Sequence, residues 1–465
     1  MKQATGISRI AHFLTTAIFF FFLFTLFHGK VLLTYIPSGD DLFLITEVPR
    51  NWSELAFRFT DFSVNYRPLS RLTFGLYRLL EPHFTLIFFI HLFIVSLVTG
   101  LLYRNVRRFL DRTQAICLST VMIFSPVFYY HIFTTSGLYN LSILTTHLIL
   151  LLLVNFDRQN SRDFPLSVTK VRLAFFIFCL SIFLKESFLI NTILFSMIAW
   201  QNLSHRKLWL ALAACWGLTL GYVLARFYLF VPESAGSVYR FVFTLEKLKE
   251  NVLLIGSWLL NYPRGWQYGA PLPKNGLTIG VTLATLIFFL GAVKLLLTKR
   301  TYLIFFGLLL AAALTPFLFL NRILLYYFDS AVLITVIAAA YGLSLYKNQK
   351  IINALVTLFV ATFFVHYAVI SPQWHQYSFV ANANEAAHNF LEAIGTVDWH
   401  QKERLCVTNH DGGMWATQYG NLINHLGDKQ LEVISVVDET LPESCQQNSL
   451  ILKNDARKYE VVGEN

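Results

Sequence analysis

Charge is what this 465-residue chain has least of. Asp, Glu, Lys and Arg make up 14% of it, against about 25% in a soluble domain. That shortage, with 55% hydrophobic residues, 16% aromatics and a mean hydropathy of +0.53, excludes an ordinary soluble enzyme. Cysteine is also scarce, with five residues and no Cys/His spacing of the zinc-site kind. Internal repeats and low-complexity tracts are lacking. No small-residue cleavage site follows the first apolar run, which Lys2 and Arg9 precede, so that run is expected to be a retained span. The net charge of +10 suits nucleic acid at first sight. The basic residues, however, stand in short loops between apolar runs, where they set membrane topology, and nucleic acid is excluded as a partner.

A membrane-crossing helix takes roughly 17–25 apolar residues. Candidate runs are 10–30, 84–103, 114–130, 137–154, 171–185, 187–203, 208–230, 277–297, 301–320, 323–346 and 351–370. Arg104, Arg107, Arg108 and Arg112 mark one cytoplasmic loop; Arg158, Arg162, Lys170 and Arg172 mark the next. Arg206-Lys207, Lys299-Arg300 and Lys347 with Lys350 mark the rest. The N-terminus is therefore expected inside and the C-terminus outside. Parity turns on residues 171–203, apolar except for Lys185-Glu186. One long helix there would put every later basic loop outside. Two short spans meeting at Lys185-Glu186 keep them inside.

Two long outer loops, 31–83 and 231–276, hold amphipathic helical patterns expected to lie on the membrane surface, the second at 242–260. The tail, 371–465, is polar. A helix is expected at 380–395, and strands at Leu405–Val407, Leu431–Val437 and Ser449–Leu452. The expected fold is an all-α polytopic membrane domain, residues 1–370, with about eleven transmembrane helices, followed by a small extracytoplasmic α/β domain. Cys406 and Cys445 both fall in that tail and are disulfide candidates in an oxidising compartment. Cys117, Cys179 and Cys215 lie in apolar runs and are read as packing residues.

Chemistry-bearing residues gather on the outer side. Asp40-Asp41 follows a Pro37-Ser38-Gly39 turn just after the first span. One carboxylate can act as a general base on a hydroxyl, or the pair can bind a divalent cation; a solvated loop is the plain alternative. Arg67, next to Tyr66 in a Tyr-Arg-Pro-Leu-Ser run, and Arg71 stand one helical turn apart, and arginine forks match phosphate oxygens. Snorkelling to headgroups is the alternative for the loop arginines. Lys185 is placed to bind a lipid phosphate, and Glu186 to fix that lysine or touch a sugar. Charges in such apolar surroundings usually face a cavity. Arg322, after Asn321 and before Tyr326 and Tyr327, is a second phosphate candidate or an interfacial anchor. His131, beside Tyr129-Tyr130, is a substrate-contact candidate. His28, His83, His91 and His147 are read as polar or interfacial residues.

Together, Gly39-Asp40-Asp41 after the first span, Tyr66-Arg67-Pro68-Leu69-Ser70 before the second, His91 within it, Lys185-Glu186-Ser187, and Arg322 with Tyr326 resemble the GT-C superfamily of integral-membrane glycosyltransferases. The nearest likeness is to its protein O-mannosyltransferase-like members and their tetratricopeptide-bearing relatives, over roughly residues 10–370. The resemblance implies transfer of a sugar from a polyprenyl-phosphate carrier at the outer face. It implies Asp40 or Asp41 as the catalytic carboxylate, and Arg67, Lys185 and Arg322 as contacts to the carrier phosphate. It implies inverting displacement at the anomeric carbon, with polyprenyl phosphate leaving. The small α/β tail differs from the repeats and the β-trefoil of those relatives, so the acceptor, whether glycan, lipid or protein, does not carry over. No cofactor is implied beyond a cation at Asp40/Asp41. A bacterial inner membrane is the expected location.

Two other classes fit part of this pattern: a transporter or flippase of lipid-linked sugars, and a glycan ligase or polymerase. Transporters tend to show paired repeats and midplane charges. Here the charges gather outside and no repeat shows, which favours the enzyme. An acidic pair directly after the first span is less expected of a ligase.

Overall fold

A computed structural model describes residues 6–34, 69, 80, 83–156, 168–185, 188–201, 206–228, 241–262, 276–321, 323–370, 379–408, 431–436, 440–455 and 458–464. The helices, in chain order, are α1 (Gly6–Thr34), α2 (Phe84–Val106), α3 (Arg112–Ser119), α4 (Val121–Phe124), α5 (Tyr129–Phe133), α6 (Leu138–Leu153), α7 (Val168–Ile182) and α8 (Leu189–Trp200). They continue as α9 (Arg206–Tyr228), α10 (Leu245–Leu259), α11 (Gly276–Lys294), α12 (Arg300–Leu314), α13 (Asp329–Ser344), α14 (Gln349–Val365) and α15 (Phe379–Ile394). Strands β1 (Arg404–Thr408), β2 (Glu432–Ser435), β3 (Ser449–Asp455) and β4 (Lys458–Glu464) close the chain.

Six helical segments among the described residues are long and apolar enough to cross a membrane: Ile10–Gly29, Thr85–Val106, Gly276–Thr298, Arg300–Phe317, Leu325–Ser344 and Gln349–Ile370. A bent pair, Arg112–Phe124 with Pro126–Phe133, makes a seventh if the two halves count as one span. That falls short of the eleven expected, and the reason is physical. Pro126 has no N–H to continue the ladder and its ring clashes with the preceding turn, so the run bends by 58° there. The helices over 137–154, 171–185 and 187–203 are real but short, at 16, 15 and 12 residues. In α9 the apolar stretch is Trp209–Leu224. The break expected at Lys185 is present, since α7 ends at Ile182 and α8 starts at Leu189.

Burial separates the inner helices from the outer. α13 is buried along almost its whole length, and its small residues Ala331, Ala338, Ala339, Ala340 and Gly342 allow close approach from all sides. α1, α9 and α11 instead present Phe22, Leu26, Leu210, Leu220, Ile287 and Leu290 outward, faces that lipid tails would cover. Polar side chains also tie helix ends together. Arg108 donates to the carbonyls of Leu151, at 2.8 Å, and Val154 at the C-terminus of α6, where carbonyls lack their usual i+4 helical partners. At the start of α3, Asp111 and Gln114 cap each other reciprocally.

The pattern at 242–260 forms α10, capped by Thr244 Oγ1 accepting from the Lys247 N–H. Its inner face is pinned by Asn251, which donates to the carbonyls of Leu318 and Leu320 at 2.9 and 3.0 Å. Its outer face exposes Leu245, Val252 and Leu253.

The tail forms a four-stranded sheet in the order β2-β1-β3-β4, the first two pairings parallel and the last antiparallel. β4 is an addition to the three expected strands. Strand alternation sorts the side chains. Leu405, Val407, Leu450 and Leu452 pack with Ala386, Ala387, Phe390 and Ile394 of α15. Cys406 and Ile451 face the other side, where Cys406 is bonded to Cys445 across 39 residues of chain. Cys117, Cys179 and Cys215 are free thiols.

Two measurements test this framework. In unfolded, non-reduced protein, a thiol reagent should label Cys117, Cys179 and Cys215 and spare Cys406 and Cys445; labelling of all five would refute the disulfide. Gly137→Ala should lower thermal stability in detergent, because a Cβ at Gly137 would lie 2.9 Å from His131 Cα and 3.1 Å from the Tyr130 carbonyl oxygen. An unchanged melting temperature would mean that this turn has room to relax.

Candidate functional site

Three breaks in helical structure meet at one place. Pro126 turns the chain into α5, which carries Tyr130 and His131. A tight return through Gly137 then starts α6, with Asn140 in its first turn. The gap between α7 and α8 carries Lys185. The third break lies before α13, where Tyr326 and Tyr327 precede Asp329 at the first helical position. A carboxylate there is favoured by the helix dipole, and its Oδ1 accepts from the N–H of Ser330 and, at 2.9 Å, from its hydroxyl.

The side chains of these segments form a buried polar cluster. Lys185 is 5% exposed, and His131, Asn140 and Asn191 are 0% exposed. Lys185 Nζ donates to Asn140 Oδ1 and lies 5.9 and 5.6 Å from the ring centres of Tyr326 and Tyr327, within cation–π range. Tyr326 stacks on Tyr130, with centroids 4.0 Å apart and planes 19° from parallel. His131 Nε2 stands 3.2 Å from Asp329 Oδ2, a charge contact that lacks hydrogen-bond alignment. Asp329 is also within Coulombic reach of Lys185. Behind them His147 Nδ1 pairs with Asn191 Oδ1 at 2.5 Å. His91 Nε2 donates to the His131 carbonyl at 2.6 Å, which fixes the backbone of α5.

Of the sequence-expected residues, the structure brings together Lys185, His131 and Tyr326. Asp40, Asp41, Tyr66, Arg67, Arg71, Glu186 and Arg322 lie outside the described residues. Leu69, from the Tyr-Arg-Pro-Leu-Ser run, is described, and its N–H reaches the Phe183 carbonyl at 3.4 Å, two residues before Lys185. The burial of Lys185 agrees with a charge that faces the interior rather than water. His147, read as an interfacial residue, is 3% exposed and inside the cluster, and His91 is 0% exposed against its edge.

Sequence reasoning missed Asp329, Asn140 and Asn191. The signal for Asp329 was available. It is the one carboxylate within the six apolar spans and the bent pair, and an ionisable residue in such a run marks a functional site by default. Nothing comparable singles out the two asparagines.

Chemically the cluster offers a cation, a carboxylate, amides, imidazoles and aromatic faces shut away from water. Among the described residues no three His, Cys, Asp or Glu side chains converge as metal ligands. The divalent-cation candidate, Asp40 with Asp41, is beyond them. No protein-family model matches the chain, and no curated protein matches it.

Asp329→Asn should destabilise the fold, by about 1–3 kcal/mol for a lost buried charge partner. The loss should shrink in a Lys185→Met background, where there is no cation left to balance. Equal losses in both backgrounds, read from detergent melting curves, would show that the two charges are not coupled.

Proposed function

We propose that this chain is a glycosyltransferase of the GT-C kind. It moves a monosaccharide from a polyprenyl-phosphate carrier to a glycan, lipid or protein acceptor at the outer face of a membrane. The observation that carries the reading is the burial of Lys185 among Asn140, Tyr326 and Tyr327. A buried ammonium at a helix break, walled by aromatics, suits the phosphate of a lipid whose chain lies among apolar helices. The anchoring of Leu69 beside the Lys185 turn supports the same reading, since Arg67 is two residues away in sequence.

In this reaction Asp40 or Asp41 takes the proton from the acceptor hydroxyl. That oxygen attacks the anomeric carbon from the face opposite the phosphate, and polyprenyl phosphate departs with inversion. Lys185, with Arg67, Arg71 and Arg322, stabilises the developing charge, the term that dominates such sites. The finer topology belongs to the same proposal: eleven crossings, the N-terminus in the cytoplasm, and the disulfide-bearing domain outside a bacterial inner membrane. The Cys406–Cys445 bond suits that compartment.

A second reading has its own support. Asp329 with Lys185, His131 and His147 inside an apolar bundle is also what a transporter of lipid-linked sugars would use. Release of free polyprenyl phosphate separates the two.

Purified protein should release it from one member of a panel of polyprenyl-phosphate sugars, with envelope extract as acceptor source. Asp40→Asn or Asp41→Asn should abolish release, and Lys185→Ala should raise the apparent donor constant about ten- to a hundredfold. Full activity in both aspartate variants would remove the carboxylate assignment. No release from any donor would turn the reading toward translocation, measured next as lipid-linked sugar flipping in vesicles.

A further inference from the structure

Among the described residues, six buried polar atoms of this cluster have no hydrogen-bond partner: His131 Nδ1, His131 Nε2, Asn140 Nδ2, His147 Nε2, Asn191 Nδ2 and Asp329 Oδ2, with His131 Nε2 and Asp329 Oδ2 in charge contact at 3.2 Å. Buried polar groups are nearly always satisfied, and each exception calls for an explanation. Here the exceptions gather on α5, α6, α8 and α13 around one lysine.

Their chemistry is mixed. The two amide nitrogens can only donate, and the carboxylate oxygen can only accept. A phosphate supplies acceptors alone and would leave Asp329 Oδ2 unfilled beside a like charge. A hydroxyl donates and accepts, and several hydroxyls on one rigid ring would meet amides and carboxylate together. The Tyr130–Tyr326 stack supplies an apolar wall beside them.

We infer that Asn140, His147, Asn191 and Asp329, with His131, form a subsite for the neutral, polyhydroxylated sugar of the donor, while Lys185 at its edge takes the phosphate. This assignment rests on the glycosyltransferase reading and deepens it. Asp329 accepts from ring hydroxyls and repels a uronic acid, so specificity includes a rejecting element. These are binding and specificity residues; the proton-abstracting carboxylate stays in the first outer loop.

The test is binding to the purified full chain in detergent. The probes are a short-chain polyprenyl phosphate alone and the same lipid carrying mannose, glucose, galactose or glucuronic acid. At least one neutral hexose should tighten binding about tenfold or more over the bare lipid phosphate, and glucuronic acid should not. Asn191→Leu and the milder His147→Gln should each erase most of that gain while leaving bare-lipid affinity unchanged. Retained affinity for the bare lipid also reports that a variant is folded.

Absence of any gain in the wild type would overturn the proposal. A gain untouched in both variants would overturn it too, leaving the cluster to internal water only. So would a fall in bare-lipid affinity with the gain intact, which would make this the phosphate site. The glycosyltransferase reading fails separately, if the hexose gain is present but no polyprenyl phosphate is released on incubation with acceptor.

Discussion

The structure depends on keeping one ammonium, Lys185, inside an apolar bundle. A charge in such surroundings is costly unless it is paired and hydrogen-bonded, and this chain has few groups with which to do it. Asn140 accepts from the lysine directly, two tyrosine rings lie within cation–π range, and Asp329 balances the charge from the start of α13. These partners come from two helix ends, the start of α6 and the segment leading into α13. Short helices and sharp breaks therefore cluster here, since a continuous helix satisfies its own backbone and offers no such convergence.

Each break has a local cause. Pro126 ends α4 and sends Tyr130 and His131 inward, and Gly137 lets the chain fold back so closely that an added Cβ would lie 3.1 Å from the Tyr130 carbonyl oxygen. The serine after Asp329 supplies two bonds to the carboxylate, so the charge sits at a helix N-terminus that welcomes it. The packing of α13 does the rest. Because this helix is buried on every side, Asp329 cannot turn to water, and its position is set by neighbours on α5 and by α10. Trp258 of α10 packs edge-on against Phe328, one residue from Asp329, with centroids 4.8 Å apart.

How far the sequence announces all this differs from part to part. Apolar runs, the gap at Lys185, the amphipathic α10 and most of the tail are legible, because each follows from periodicity or charge within a short window. Span number is harder, since apolarity reports a preference for lipid without reporting length or straightness; Pro126 converts one run into a bent pair. β4 was missed because Lys458–Glu464 alternates weakly and gains its strand identity by pairing with β3. In the site, Lys185, His131 and Tyr326 were visible as unusual residues in apolar context. Asn140 and Asn191 were not, as an asparagine near a helix start is ordinary until its neighbour across the bundle is known. Asp329 could have been found by asking which carboxylate an apolar span contains.

α10 connects this interior to an exposed apolar face. Its exposed Leu245, Val252 and Leu253 lie opposite the face that Asn251 ties to the carbonyls of Leu318 and Leu320, and its Trp258 reaches Phe328. A helix whose exposed apolar side and site-facing side belong to one rigid element holds the first turn of α13 in a fixed relation to that apolar face. In the proposed reaction, with a lipid donor whose sugar is held beside a buried charge, that relation would be the geometric requirement. The donor's phosphate depth is set by where its chain lies, and the cluster's depth by α10 and α13. Only a scaffold that fixes both from the same reference brings the anomeric carbon to a constant place.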